Sequence, residues 1–236
     1  MLNMDNLLDG LLWYIVFIFS TTFHEASHAL AALNLGDRTA HERGQVTLNP
    51  MPHIRREPIG TVVVPVISFL LSGWMIGWAS VPYNYAWSLK YPKKAAKMAF
   101  AGPLANLLLV FITAVIIRVG IGYEIFLAPE QTDFTHIVMA TGGGWMDSLA
   151  MFLNVFFSLN LLLFIFNLLP IPPLDGSGLI PFFMDDERNR KYLQFVSNPS
   201  LSFLGIMIAW NVFDYIYAPI HLSVVNLLYL GIAHYG

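Results

Sequence analysis

Residues 24–28 read HEASH, two histidines four positions apart with a glutamate directly after the first. On a helix this spacing puts His24 and His28 on one face, where two imidazoles can share one cation. Glu25 stands beside that face, placed to take a proton from a cation-activated water without being a ligand itself. The competing explanation is a set of polar groups satisfied inside a core. With seven histidines in the chain, random placement yields only about 0.005 such patterns. The motif lies in a largely apolar segment, with LLWYIVFIF before it and ALAAL after it, and ionisable groups inside an apolar span are functional by default.

Two histidines do not complete a catalytic metal site, which takes three protein ligands and keeps one position open for water. The chain has no cysteine, so a third ligand has to be His, Asp or Glu. Asp175, in NLLPIPPLDGSG, can turn back toward the bundle from the end of a hydrophobic segment. It reads equally as an ordinary turn aspartate, because Asp-Gly is a common turn pair. His53 reads as a fourth ligand, an autoinhibitory cap or a turn residue. A structural role is favoured, since a fourth protein ligand would close a catalytic site. His41 falls in a polar stretch, and His136, His221 and His234 have no partner at ligand spacing.

These residues need elements to hold them. The composition is 56% hydrophobic and 11% charged, against about 25% charged in soluble domains. An all-α polytopic membrane protein follows, a transmembrane helix bundle surrounded by lipid bilayer. The expected single membrane domain over 1–236 begins with a helix at 7–35, which NLG at 34–36 would stop. A re-entrant region at 38–82 comes next. Its GQVTLNP suggests a short strand at 44–48, and 59–80 is broken by Pro65, Gly73 and Gly77. Helices are expected at 97–119 and 146–169, joined by a loop at 120–145. DDERNRK reads as a polar loop, and Pro219 divides the last apolar stretch into 200–218 and 220–234. The first residues carry no Lys or Arg, unlike a signal peptide's basic start, so the first helix is expected to be retained. A net charge of −3, without a basic face interleaved with aromatics, argues against a nucleic-acid partner.

Three motifs in order, FHEASHA, AFAGPLANLLL and FNLLPIPPLDGSG, resemble the site-2 protease family, the intramembrane zinc metalloproteases of peptidase family M50. GQVTLNPMPHIRREPIGTVVVP resembles that family's small prokaryotic branch, which lacks an attached soluble domain. The resemblance implies one zinc per chain on His24, His28 and Asp175, with Glu25 as general base. It implies that Asn167 orients substrate or stabilises an oxyanion, and that Gly102, Pro103 and Asn106 line the site. Where the branch reads His-Ile-Asp-Pro this chain has HIRREP, so the family's use of residues 53–58 transfers less directly.

If one metal joins His28 to Asp175, the end of the first helix and the end of 146–169 face one side. Segment 59–80 then has to return to the side it came from. Charge points the same way: Arg38, Arg43, Arg55 and Arg56, then Lys90, Lys93, Lys94 and Lys97, then Arg188, Arg190 and Lys191 lie in loops of that side. The positive-inside rule makes it cytoplasmic, in a multi-pass inner or plasma membrane protein. Arg118 is the one contrary charge. The expected activity is hydrolysis of peptide bonds in or near transmembrane segments of membrane-protein or transmembrane-peptide substrates. Val46 and Thr47 would hold the unwound substrate by strand addition. The alternatives are a zinc-binding membrane transporter and an inactive scaffold. A transporter often carries inverted repeats, which this sequence lacks, and an inactive scaffold has no need of Glu25.

Overall fold

A computed structural model describes residues 4–236. Residues 1–3, the start of the domain expected over 1–236, lie outside them. The protein is an all-α bundle in which, among the described residues, four helices are long and apolar enough to cross a membrane, at 7–35, 92–122, 145–167 and 199–228.

The first helix, α1 (Met4–Leu35), carries HEASH in its last third. Its hydroxyls turn inward on the helix itself: Thr21 Oγ1 donates to Phe17 O and Ser27 Oγ to Phe23 O, at 2.8 and 2.7 Å. Such bonds satisfy polar side chains where no water is at hand. The expected stop is in place, with Gly36 at φ 107° and Asp37 N donating to Ala32 O at 2.8 Å. Asp37 then accepts from Asn84 N at 2.7 Å and from Thr39 N and Oγ1 at 3.0 and 2.6 Å. Burial works against its charge, but these donors hold the Asp37 carboxyl below the usual carboxylate range.

Two short helices, α2 (Thr39–Glu42) and α3 (Pro50–Arg56), follow. The strand expected at 44–48 does not form, because no second strand lies beside it among the described residues. Gln45 N bonds Ala40 O instead, and Asn49 N takes Thr47 Oγ1 before capping α3. Segment 59–80 does turn back on itself. One limb is a π turn (Ile59–Val63) running into α4 (Val64–Ser72), which ends on Gly73 at φ 78°. The other limb returns extended, with Ile76 N donating to Ser68 Oγ and Trp78 N to Gly60 O. The limbs meet through facing glycines: a Cβ on Gly60 would strike the Trp78 backbone and ring, and one on Gly77 the Gly60 carbonyl, Phe17 and Pro65. At the hairpin's base Ser80 Oγ donates to Glu57 Oε1 at 2.7 Å.

After α5 (Tyr85–Lys90), α6 (Pro92–Gly122) starts five residues earlier than the apolar pattern suggested, because Pro92 suits a first helical position. Lys94 Nζ caps the end of α1 through Leu35 O at 3.2 Å. The loop beyond α6 contains a two-residue antiparallel ladder, β1 (Phe126–Leu127) with β2 (Met139–Ala140). Asn154 of α7 (Trp145–Asn167) fastens that loop, accepting from Ile137 N and Val138 N and donating to Val138 O.

Past α7 the chain forms α8 (Asp175–Leu179), a 3-10 turn (Ile180–Phe183) and α9 (Asp186–Val196). The expected polar loop is thus a helix, capped by Asp185 through Arg188 N. Its Tyr192 Oη donates to Ser177 O at 2.8 Å and its Asn189 Nδ2 to Pro181 O at 3.1 Å. Finally α10 (Pro199–Leu228) runs unbroken through Pro219. One proline removes one backbone donor, which the apolar residues on both sides outweigh in lipid. Arg118 caps this helix, donating to Leu228 O at 3.1 Å and Leu230 O at 3.4 Å, so the contrary charge has a partner.

Candidate metal centre

His24 and His28 present their rings edge to face, with centroids 4.6 Å apart and Nε2 atoms 2.9 Å apart. Asp175 Oδ2 lies 3.0 Å from His24 Nε2 and 3.2 Å from His28 Nε2. Asp175 reaches them because α8 folds straight back over the end of α7. Gly176 permits that fold, since a Cβ there would collide with the Leu168 and Leu169 backbone. All three residues are at least largely shielded from solvent. Among the described residues this is the one group of three such donors able to hold a metal ion. His53 is outside it.

The donors suit a cation. A tetrahedral zinc with bonds of about 2.0–2.1 Å sets its ligand atoms about 3.3 Å apart, close to the three separations here. His28 Nδ1 donates to Met98 O at 2.8 Å. A carbonyl can only accept, so His28 Nε2 carries the unshared pair. His24 Nδ1 meets Asn106 Oδ1 at 2.6 Å. Two nitrogen lone pairs and a carboxylate oxygen therefore converge, an arrangement that a divalent cation resolves. Two histidines and a carboxylate leave one position of a tetrahedral zinc open.

Gly102 of α6 backs directly onto both rings. A Cβ there would stand 2.5 Å from His24 Nε2 and 2.6 Å from His28 Cε1. Next to it Pro103 is buried within α6. Glu25 is buried beside His24, at 7% exposure. Asn167 is the last residue of α7, and its Nδ2 donates to Leu163 O at 3.0 Å, along its own helix. Val46 and Thr47 are half-buried, and Thr47 O accepts from His53 Nε2 at 3.1 Å. His53 is 1% exposed, and its Nδ1 is buried without a partner.

Three participants had no sequence assignment: the Met98 carbonyl, Asn160 and Ser20. Asn106 Nδ2 donates to Asn160 Oδ1 at 2.8 Å, and Asn160 Nδ2 donates to Ser20 Oγ at 2.9 Å and Phe156 O at 2.8 Å. A signal for Asn160 was present. It stands seven positions before Asn167 in an apolar helix, two turns away on the same face.

A polytopic helical bundle with a buried His-His-Asp donor set is the architecture of a membrane-embedded metalloprotein. The model of peptidase family M50 matches residues 12–210, and the chain belongs to that family. Over 195 residues it is 34% identical to "Putative zinc metalloprotease YwhC" of Bacillus subtilis (strain 168), covering 82% of this chain and 78% of that protein. It is 29% identical over 173 residues to "Putative zinc metalloprotease Rip2" of Mycolicibacterium smegmatis and 27% identical to the Mycobacterium tuberculosis (strain H37Rv) protein of that name. Each of these two alignments covers 73% of this chain and 57% of the Rip2 protein. No solved structure matches the chain.

Proposed function

We propose that the protein is a zinc-dependent endopeptidase that cleaves other membrane proteins within or next to their membrane-spanning segments. The supporting observation is the convergence of His24, His28 and Asp175 beside Glu25, inside a bundle of membrane-length helices. A zinc ion held by the three donors would polarise a substrate carbonyl and lower the pKa of a water to about 7.

The chain's own groups do the remaining work. Glu25 accepts the proton of the attacking water and later delivers it to the leaving amine. Asn167 donates to the developing oxyanion, for which its Nδ2 exchanges the Leu163 carbonyl for substrate. A helical substrate has its amides paired internally, so it must unwind to be cut. The Val46 and Thr47 amides have no backbone partner among the described residues, and they would pair with the unwound strand. Gly102, Pro103 and Asn106 form the wall behind the histidines. The basic loops support an orientation in which this end of the bundle faces the cytoplasm of a plasma or inner membrane.

Glu25→Gln should keep zinc while abolishing proteolysis. Membrane proteomes of cells carrying wild type or Glu25→Gln would then differ in specific cleaved membrane proteins. Identical cleavage in both would defeat the proposal, and would favour a zinc-binding transporter or scaffold.

A further inference from the structure

We propose that Asn160, which touches neither metal donor nor substrate, is a positioning residue that fixes the tautomer of His24. This rests on the metal reading of the triad. Four side chains form one hydrogen-bonded circuit across three helices, leaving α1 at Ser20, passing Asn160 on α7 and Asn106 on α6, and ending on α1 at His24. Ser20, Asn160 and Asn106 are fully buried and His24 is 6% exposed, so no water can substitute for a missing partner.

The circuit has a direction, and a single backbone atom sets it. Phe156 O, one turn before Asn160, is an acceptor without a proton. The group facing it at 2.8 Å is therefore the Asn160 amide nitrogen. That nitrogen spends its second proton on Ser20 Oγ at 2.9 Å. Asn160 Oδ1 is then left facing Asn106, and an oxygen there draws the Asn106 Nδ2 toward itself, at 2.8 Å. With its nitrogen so committed, Asn106 turns Oδ1 to His24 at 2.6 Å. An oxygen in that place requires the imidazole proton on Nδ1. The unshared pair is consequently on Nε2, toward Asp175 and His28. If Asn106 were free to turn end for end, its NH2 would face Nδ1 and push the proton to Nε2, where it would oppose the metal. His28 needs no such circuit, because Met98 O fixes its tautomer directly.

The test uses full-length protein in detergent and reads zinc affinity by competition with a chelator. Cobalt(II) replaces zinc for a visible absorption spectrum. Outer-shell partners of metal-binding histidines typically contribute ten- to a hundredfold in affinity. Asn160→Ala should therefore weaken zinc binding by about tenfold or more and shift the cobalt bands. Asn160→Leu, closer in volume, serves if the alanine variant does not fold. Asn154→Ala is the control, a buried asparagine of the same helix whose bonds go to the 137–138 backbone. It should lower thermal stability while leaving zinc affinity within about twofold. Because Asn160 acts through Asn106, the Asn106→Ala/Asn160→Ala double variant should bind zinc no more weakly than Asn106→Ala alone. Wild-type affinity and cobalt spectrum in the Asn160 variants would overturn the inference. So would full additivity with Asn106→Ala, or an equal loss in Asn154→Ala. Wild-type protein that binds no zinc would instead overturn the metal reading, and the inference with it.

Discussion

Gly102→Ala should remove the metal while leaving the fold standing. A Cβ at residue 102 comes within 2.5 Å of His24 Nε2 and 2.6 Å of His28 Cε1, where carbon contacts settle at about 3.5 Å or more. The intrusion is thus about 1 Å. Both rings then have to leave the positions where their Nε2 atoms converge with Asp175, and zinc bonds of about 2.0–2.1 Å tolerate little displacement. Moving two ligands by such a distance should weaken zinc by at least about a hundredfold, or ~2.7 kcal/mol. The metal-free fold has offsetting terms. Crowding costs about 1–3 kcal/mol, whereas exchanging glycine for alanine inside a helix returns about 1 kcal/mol. Zinc content and chelator competition on purified protein measure the first effect, and thermal unfolding of metal-free protein the second. Gly122→Ala, at the end of the same helix, is the reference, because a Cβ there meets nothing within 4 Å. Stoichiometric zinc at wild-type affinity in Gly102→Ala would refute the assignment of the metal to the space between these rings.

Other consequences concern the frame. Because its carboxyl is held below the ordinary range, Asp37 stabilises the fold above the usual carboxylate pKa and loses that contribution as pH falls through its own lower value. Asp37→Ala should cost about 1–3 kcal/mol at neutral pH by orphaning Asn84 N. Wild-type melting temperature should fall more steeply below about pH 4 than that of Asp37→Ala; parallel curves would contradict this. Arg118→Ala should uncap α10 at a cost of about 0.5–1 kcal/mol, seen as faster amide exchange at residues 225–230, and unchanged exchange would argue against the cap. A reporter fused near residue 48 should be cytoplasmic and one near residue 130 external; the reverse pattern would overturn the proposed orientation.

What could be read from the sequence tracks how tightly chemistry restricts residue choice. HEASH was legible because a shared cation demands both residue type and a four-residue repeat. Asp175 was half legible: Asp-Gly fits any turn, and only Gly176 packing on Leu168 and Leu169 shows why this one bends back onto the histidines. Pro219 misled because its local cost is paid once, while the apolar run around it acts along the whole helix. The strand at 44–48 misled because extended backbone becomes a strand only when a partner lies alongside, and none does. Asn160 was legible only as an asparagine two turns from Asn167 in an apolar helix. Its contacts cross three helices, and no window of sequence contains the approach that makes them.

The hairpin at 59–80 has no free space between its limbs where Gly60 and Gly77 face each other. Its limbs cannot come closer there, and parting them would break the bond from Trp78 N to Gly60 O. From the Gly73 tip both limbs lead back to a base where Ser80 holds Glu57. From Glu57 the connection runs through its amide to His53 O and from the His53 ring to Thr47 O. One run of bonded groups thus ties the base of the hairpin to the stretch that carries Val46 and Thr47.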